Sequence, residues 1–471
     1  MTRIPDTWGR VRLGDACLFN PRHPRGLPGA HTVAFVPMQA VDEVDGEIRG
    51  AEARPLAQVR RGYTHFADGD LLFAKITPCM QNGKHAVASG LFGGLGCGST
   101  EFFVLRPRAD VDAAYVHCLV RRPSFLRRAA DAMTGAVGQA RVPREFLEQV
   151  VVPLPPLAEQ RRIVEKVRAL GSRSRRARQA LLAVPPLIDR LRQAVLAAAF
   201  RGDLTADWRA ANVIGESVDE WLAQIRDERN RRGMALPGKR SSHAEPARAA
   251  GPGGLPPTWR WASWREVGLA QNGRGFPSEF YGDSGCRLLR PGNLDGDGGL
   301  TWTADNTRTM PERWAERFPE YLIHEGDLVI NLTAQSLRDG FLGRTCQAGP
   351  GERCLLNQRI ARLTPIGVDP RYVFWNFKSP RFRRFVAGLN QGSLIQHMYI
   401  SQLDQYLLPI PPLAEQVEIR VRLDRWSRLI VGTRAALRSL DSRCGALDEA
   451  ILARALRGEL VAREPGELEP G

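Results

Sequence analysis

The 471-residue sequence has few lysines and no long hydrophobic run. Only five of its 66 basic residues are lysine, and the net charge of +15 is therefore carried almost entirely by arginine. Such an excess predicts an anionic partner, with nucleic acid the first candidate and an anionic membrane surface the second. No stretch approaches the ~18 apolar residues that a membrane-spanning helix needs, and no apolar segment of the signal-peptide type follows Met1. We therefore expect a cytoplasmic protein.

The usual signatures of catalysis and metal binding are also missing. The eight cysteines include no C-x-x-C pair and no histidine at metal-ligand spacing, so we predict neither disulfides nor a metal site. No G-x-x-x-x-G-K-[ST] phosphate loop is present, which excludes an ATP-driven motor of that class. The Pro-Pro pairs at 155–156 and 411–412 follow Leu154 and Ile410 rather than the Asn or Asp that amino-methylating enzymes use, and no lysine has an acidic residue two positions before it. His85, His117 and His397 are interpreted as isolated structural residues, so no catalytic activity is expected.

What the chain does contain is two copies of one plan. The segment PLPPLAEQ at 153–160 recurs as PIPPLAEQ at 409–416, an offset of 256 residues, and the segment at 194–204 recurs at 450–460 with the same offset. Weaker matches include Gly69-Asp-Leu71 and Gly326-Asp-Leu328. A period of this length indicates tandem duplication of the whole chain, because solenoid repeats span only ~20–50 residues.

Each copy has two parts. Its first part is rich in Gly, Pro and aromatics and alternates short apolar runs with helical stretches, which predicts a mixed α/β domain. Its second part places apolar residues four and three apart, from Ile163 to Val195 and again from Ile419 to Ile451. A 3.5-residue repeat over about five heptads is typical of a coiled coil, so we expect the two helices to pack on each other. The alternative is that each helix packs on its own domain.

We therefore predict an α+β fold with pseudo-two-fold symmetry and an antiparallel helix pair. Ile163 would lie near Ile451 and Val184 near Ile430, while Pro185-Pro186 predicts a bend in the first helix only. The expected parts are domains at 1–155 and 255–411, helices at 156–205 and 412–461, a linker at 206–254 with a short helix from the capping box Ser217-Val-Asp-Glu220, and a tail at 462–471.

The repeated motifs resemble one known family. The doubled Pro-Pro-Leu-Ala-Glu-Gln, the Ala-Phe-Arg-Gly-Asp-Leu ending at 199–204 with its counterpart at 455–460, and the start Ile4-Pro-Asp-Thr-Trp8 are similar to specificity subunits of type I restriction–modification enzymes. The stretches at 75–84 and 356–360 match the same family, and the resemblance covers nearly the whole chain.

The resemblance implies a non-catalytic subunit with two target-recognition domains, each of which reads one half of a bipartite double-stranded DNA site. Two methyltransferase subunits and ATP-dependent restriction subunits would assemble on it, and S-adenosylmethionine, ATP and Mg would belong to those partners. Two helices of about 45 residues would each span roughly 65–70 Å and act as a ruler. The half-sites would then be separated by a fixed spacer, with centres ~34 Å apart.

Candidate DNA-binding residues lie in polar loops of both domains. Amides suit adenine, whereas cations suit guanine or phosphate. The candidates are Lys75, Gln81, Asn82, Lys84, Gln139 and Arg141 in copy one, and Gln335, Arg338, Gln391, Ser393, Gln396 and His397 in copy two.

The two helix starts are candidate partner-binding sites, because two identical partner subunits require two identical docking sites. The residues are Leu157, Glu159, Gln160, Leu413, Glu415 and Gln416. A shared role in capping and folding is the alternative. For the whole chain, the alternatives are a specificity subunit of a type IIB-like or other phage-defence methylation system, or a solitary DNA-binding regulator.

Overall fold

A computed structural model describes residue 5 and residues 7–136, 138–212, 215, 217–231, 254–335, 340–389 and 396–462. Residues 232–253 of the predicted linker at 206–254 and all but the first residue of the predicted tail lie outside this set. Within the described ranges, no helix is both long and apolar enough to cross a membrane. The chain forms two compact units, of which unit 1 comprises residues 1–183 and 436–471, and unit 2 comprises residues 184–435.

The first copy folds into a mixed α/β domain followed by one long helix. Its strands are β1 Gly9–Arg12, β2 Cys17–Phe19, β3 Thr32–Val36, β4 Glu52–Pro55, β5 Thr64–Ala67, β6 Leu71–Ala74, β7 His85–Val87, β8 Leu95–Gly98, β9 Phe102–Pro107 and β10 Val151–Leu154. Its helices are α1 Leu13–Ala16, α2 Leu56–Val59, α3 Ala113–Val120, α4 Pro123–Asp131, α5 Arg144–Gln149 and α6 Leu157–Arg201. The strands form two four-stranded sheets, β2-β9-β6-β7 and β4-β3-β8-β5, and a separate β1-β10 pair.

Two short helices, α7 Ala206–Ala211 and α8 Val218–Arg231, follow α6. The second of them begins directly after Ser217, where the capping-box pattern predicts a helix start. Val218, Trp221 and Ile225 on α8 are buried in the core of unit 2. The segment predicted as a linker therefore contributes to a folded core over this stretch.

The second copy repeats the architecture of the first. Its strands are β11 Arg260–Ser263, β12 Gly268–Asn272, β13 Cys286–Leu289, β14 Thr309–Met310, β15 Leu322–His324, β16 Leu328–Asn331, β17 Thr333–Ala334, β18 Thr345–Gln347, β19 Arg353–Leu356, β20 Ile360–Pro365, β21 Gln396–His397 and β22 Leu407–Ile410. Its helices are α9 Trp264–Val267, α10 Glu312–Arg317, α11 Pro370–Asn376, α12 Pro380–Leu389, α13 Ile400–Leu403 and α14 Leu413–Ala455. The sheets β12-β20-β16-β18 and β14-β13-β19-β15 and the β11-β22 pair match the first copy strand for strand.

In both copies a Pro-Pro pair lies between the last strand and the long helix, at 155–156 and 411–412. Proline is tolerated next to a helix start, because the first N–H groups of a helix have no partner within it. The predicted mixed domains and long helices are confirmed. Pro185 and Pro186 lie inside α6, which continues through them as one helix. Unit 2 begins at Val184, one residue before this pair.

In unit 1 the start of α6 runs antiparallel to the end of α14. Ile163 and Val164 share a buried core with Ala455 and Leu456. Further along α6, Arg178 Nη2 lies 3.5 Å from Asp448 Oδ2. Residue numbers thus rise on one helix as they fall on the other, as the predicted antiparallel arrangement requires.

In unit 2 the end of α6 pairs with the start of α14 in the same sense. Leu196 and Phe200 share a core with Ile419 and Leu423, and Arg434 Nη2 lies 2.6 Å from Asp189 Oδ1. The predicted register is displaced, because Ile430 lines a small cavity with Arg192 and Val195. Val184, its predicted neighbour, lies two turns before Arg192 on α6.

Candidate nucleic-acid interface

The two loops of copy one that were predicted to bind DNA lie side by side. The loop at 75–84 leaves β6, and the segment at 138–141 precedes α5. Thr77 N donates to Ala140 O over 3.0 Å, and Val142 N donates to Lys75 O over 2.9 Å. The structure therefore joins residues 75–84 and 138–141 into one patch, which we call surface one.

The amides and lysines of surface one differ in their contacts. Gln81, Asn82 and Gln139 are exposed, and Gln81 Nε2 donates to Thr77 Oγ1 over 3.0 Å. Lys75 Nζ lies 4.9 Å from the centre of the Phe103 ring. Lys84 Nζ donates to Val41 O over 3.1 Å and so anchors its own loop. The amides are the more accessible hydrogen-bonding groups.

Arg141 is held by a carboxylate that the sequence analysis missed. Its Nε and Nη2 donate to the two carboxylate oxygens of Glu101 over 2.9 and 2.8 Å. The Arg141 hydrogen bonds, followed by the positive charge of Arg141 and Lys75, lower the pKa of Glu101. The Arg141 side chain is nevertheless 43% exposed, so it combines accessibility with a fixed orientation.

Copy two builds a similar patch from β17 and β21. Thr333 pairs with His397 and Ala334 with Gln396, and Thr333 Oγ1 lies 3.1 Å from His397 Nδ1. Gln335 follows β17 and is exposed. We call residues 333–335 and 396–399 surface two. Three of the predicted residues lie outside the described residues: Arg338, Gln391 and Ser393.

Equivalent backbone contacts align the two surfaces residue by residue. Lys75 N donates to Glu101 O over 2.9 Å, and Leu332 N donates to Arg359 O over the same distance. Arg359 thus occupies in copy two the position of Glu101 in copy one, and it is exposed. By the same alignment His397 occupies the position of Arg141. The charge at the Glu101 position is reversed between the copies.

Tyr399 is a second residue of copy two that sequence reasoning missed. Its side chain is 61% exposed, and its ring centre lies 4.5 Å from that of His397. Arg359 lies in the stretch 356–360 that resembles the family. Only the alignment of the strands of the two copies shows that it occupies the position of Glu101. The sequence carries no separate signal for Tyr399.

The helix starts contain a buried hydrogen-bonding centre in each copy. Glu159 and Glu415 are fully buried. Trp8 Nε1 donates to Glu159 Oε2 over 3.0 Å, and Trp259 Nε1 donates to Glu415 Oε2 over 2.9 Å. Each carboxylate therefore ties the beginning of a long helix to the beginning of its own domain.

In copy two, the partners of Glu415 also include residues that follow the first long helix. Thr205 Oγ1 and Arg209 Nη2 each donate to Glu415 Oε1 over 2.7 Å. The carboxylate is thus paired with a guanidinium and two further donors, Thr205 and Trp259, inside unit 2. Such pairing makes burial of a charge tolerable.

Gln160 and Gln416 also make matching hydrogen bonds in the two copies. Gln160 Oε1 accepts from Asp112 N over 2.8 Å, and Gln416 Oε1 accepts from Asp369 N over 2.9 Å. The two aspartates are the N-cap residues of α3 and α11, and their side chains accept from the first-turn amides of those helices. Both glutamines are fully buried.

These positions correct the partner-binding prediction for Glu159, Gln160, Glu415 and Gln416. A fully buried side chain offers no surface to another subunit, so the capping and folding role accounts for all four. Leu157 is half-buried and lines an open cavity of about 310 Å³. Leu413 is 41% exposed. Partner binding stays a prediction for these two leucines.

The structure also corrects the view that the histidines are isolated from the cysteines. His23, His65 and Cys97 come together in copy one, with one potential ligand atom from each within 4.8 Å of the others. The three residues are more than 30 positions apart in sequence, so no spacing motif reveals them.

The chain is similar to known proteins along most of its length. It is 27% identical over 469 residues to the EcoAI type I restriction enzyme specificity subunit of Escherichia coli, covering 89% of this chain and 77% of that one. It is 26% identical over 475 residues to the corresponding EcoEI subunit, covering 88% and 77%. No family profile matches the chain.

Solved structures share the fold. A chain from a structural study of the assembly and conformational transition of the type I R-M system matches with a TM-score of 0.71 and 22% identity, over 97% of this chain and 99% of that one. The HsdS subunit from Thermoanaerobacter tengcongensis matches with a TM-score of 0.59 and 22% identity, over 97% and 98%.

Duplicated α/β domains with matched polar surfaces, each followed by a long helix, define a class of modular two-domain proteins. Within that class, the chain is similar over most of its length to the specificity subunits of type I restriction enzymes.

Proposed function

We propose that this chain is the DNA-recognition subunit of a type I restriction–modification system and that each domain reads one half of a bipartite site. One observation carries the proposal. Surfaces one and two occupy equivalent positions on equivalent sheets, yet they carry different polar side chains. Base reading requires polar groups on a rigid support, with cations nearby to hold phosphates. Two different half-sites would be read by one repeated scaffold.

The chemical steps would belong to other subunits. We propose that two methyltransferase subunits and ATP-dependent restriction subunits assemble on this chain and bring S-adenosylmethionine, ATP and Mg with them. The chain itself would position DNA and carry out no bond-making or bond-breaking step. Support comes from the absence of nucleotide-binding and methylation motifs in the sequence and from the specificity-subunit names of its relatives.

Partner docking would centre on the accessible residues that the two helix starts share. These are Leu157-Ala158 and Leu413-Ala414. Four and eight residues after the leucine, the copies diverge, because Val417 and Val421 are exposed where copy one has Arg161 and Glu165. Two identical partners need identical surfaces, so the shared dipeptides are the better candidates.

Recognition is tested with the methyltransferase subunit from the same operon. Long-read sequencing of a host that expresses both proteins reports which bases become methylated, and we expect a bipartite motif with a fixed spacer. Arg141→Ala should weaken or relax recognition in one half only. DNA changed in one half at a time provides the matched substrates. Equal damage to both halves, or specific DNA binding that never supports methylation, would contradict the proposal.

Docking is tested separately by native mass spectrometry of the complex. Leu157→Asp and Leu413→Asp should each reduce two bound methyltransferase subunits to one. Val417→Arg, which gives copy two the residue that copy one has, is the control and should leave two subunits bound. If both aspartate variants keep two subunits, these dipeptides are not the docking sites.

A further inference from the structure

Three potential metal ligands converge on one sheet of the first domain. His65 on β5 and Cys97 on β8 are directly opposite each other across an antiparallel strand pair. His23 lies on the loop that follows β2, and its ring stacks on that of His65 with centres 4.4 Å apart. One ligand atom from each side chain lies within 4.8 Å of the other two.

Backbone hydrogen bonds fix which nitrogen of each imidazole is free to bind. His23 Nε2 lies 3.0 Å from both Phe66 O and Gly96 O, and His65 Nε2 lies 2.8 Å from Arg60 O. A carbonyl can only accept, so each Nε2 carries the proton and each Nδ1 has a lone pair. The lone pair of His23 Nδ1 is free, whereas His65 Nδ1 accepts a long hydrogen bond from His23 N over 3.5 Å, which metal binding would replace. Metal-binding histidines are commonly oriented by a carbonyl in this way.

The three side chains lie in largely buried surroundings. The His23 Nδ1 atom is buried and has no hydrogen-bond partner, and the Cys97 side chain is fully buried. Burial raises the pKa of the Cys97 thiol to about 11, so a metal ion would have to displace the thiol proton in order to bind. Arg106, the nearby cation, is paired with Asp70 over 2.7 Å, which offsets its charge next to the three side chains.

In copy two, apolar residues occupy the strand positions that match His65 and Cys97. Leu322 and Leu355 are opposite each other in the matching strand pair, and Phe276, on the loop that follows β12, packs against the same sheet. All three belong to one buried apolar cluster. The same scaffold is thus complete with a purely apolar trio, so the imidazoles and thiol of copy one are not required by the fold.

We propose that His23, His65 and Cys97 bind one Zn²⁺ ion in the first recognition domain. Two imidazole nitrogens and a thiolate form a donor set that zinc favours, and a water would complete four-fold coordination. On binding, the Cys97 S–H bond breaks, its proton passes to solvent, and a Zn–S bond forms. The ion would fasten the His23 loop to the sheet.

The required adjustment is small. Zn–N and Zn–S bonds of ~2.0 and ~2.3 Å place tetrahedral ligand atoms roughly 3.3–3.6 Å apart. The widest separation allowed here is 4.8 Å, so the side chains close by about an ångström. Rotation of the half-buried His23 ring on its loop provides this movement, while His65 and Cys97 stay on their strands.

The experiment measures metal bound to the full-length protein. After dialysis against ZnCl2 and then metal-free buffer, elemental mass spectrometry should find one zinc per chain above the content of the triple variant His23→Phe, His65→Leu, Cys97→Leu. The two leucines are the copy-two residues at these strand positions, and the phenylalanine is the residue type that covers them in copy two. Co²⁺ added to the chelator-treated protein should give thiolate-to-cobalt charge-transfer absorption in the wild type only.

Cys354→Ala is the matched control, because Cys354 is a fully buried cysteine on β19, the copy-two counterpart of β8. It should retain the zinc and the cobalt absorption. The single variant His23→Phe keeps the test valid if the triple variant misfolds, because His23 is half-buried on a loop. Its zinc affinity should fall by at least ~10–100-fold, which is the loss typical when a residue that only orients a metal ligand is replaced. Equal zinc in the wild type and His23→Phe, or no thiolate absorption with cobalt, would overturn the proposal.

Discussion

The buried residues of the helix starts agree between the two copies, whereas the exposed residues of surfaces one and two differ. The helix starts repeat Leu-Ala-Glu-Gln, and the Glu and Gln of each make matching internal hydrogen bonds. Surfaces one and two share a backbone arrangement, but surface two has Arg359 at the position of Glu101 and His397 at the position of Arg141. At these two places, identity marks residues that hold each domain together, and we expect difference to mark residues that contact DNA.

The largest expected effect concerns the buried carboxylate. Glu415→Ala leaves Arg209, Thr205 and Trp259 without their acceptor inside unit 2, and removal of one partner from a buried ion pair costs about 3–5 kcal/mol. Chemical denaturation followed by hydrogen exchange in unit 2 measures the loss. Glu418→Ala, which removes a partly exposed partner of Arg422, is the control. If the free energy of unfolding falls no further than in the control, the residues shared by the two helix starts do not stabilise the fold.

The next largest effect is expected at Arg359, whose charge is opposite to that of Glu101 at the equivalent position of copy one. Arg359→Ala should cost ~1–3 kcal/mol in DNA binding if Arg359 reads a base, and it should relax one position of the second half-site only. If Arg359 holds a phosphate, binding weakens evenly across sequences and the salt dependence becomes shallower. Titrations on substrates changed in each half separate these results. Loss confined to the first half-site would show that the copies are wrongly assigned.

A smaller effect on DNA binding is expected from Glu101→Gln on surface one. Glu101→Gln removes the negative charge that holds Arg141 and makes surface one more cationic. We expect tighter binding to DNA altered in the second half-site, and a steeper dependence on salt because one more cation is available to phosphate. Glu52→Gln removes an exposed carboxylate paired with Arg54 and is the control. Weaker binding by Glu101→Gln would mean that Arg141 must be held by Glu101 in order to read DNA.

The smallest effect is on stability. The Arg141–Glu101 pair is partly exposed and screened by solvent, so it should contribute little to the free energy of unfolding. Because the pKa of Glu101 is lowered in the folded state, this contribution is present above the unfolded value and is lost as pH falls through the folded value. Unfolding curves of the wild type and Glu101→Gln should differ slightly at neutral pH and converge in acid. A difference that grows in acid would contradict the assignment.

The sequence predicted the architecture because repetition and periodicity are properties of the chain alone. The offset of 256 residues and the heptad spacing led to paired mixed domains and antiparallel helices. The register of those helices was not available in the same way, since Ile430 has several apolar positions of similar character opposite it. Packing of whole side chains decides among them.

The candidate site was predictable in part for a similar reason. Loop composition indicated residues 75–84 and 138–141, but their meeting depends on backbone hydrogen bonds between distant segments. Glu159 and Glu415 at the helix starts were predicted to bind partner subunits, and nothing in the local sequence reveals that Trp8 and Trp259 donate hydrogen bonds to them inside the protein. His23, His65 and Cys97 become neighbours only through strand pairing.

The division of the long helices between the units has a consequence for biosynthesis. Unit 2 is one continuous stretch, residues 184–435, whereas unit 1 needs residues from 436 onward, including Ala455 and Leu456 in its core. At ~5–20 residues per second, the ribosome reaches those residues roughly 13–50 s after it has finished residue 183. Unit 1 is translated first but can be completed only after unit 2 has been translated. Until then, Ile163 and Val164 lack the segment of α14 against which they pack.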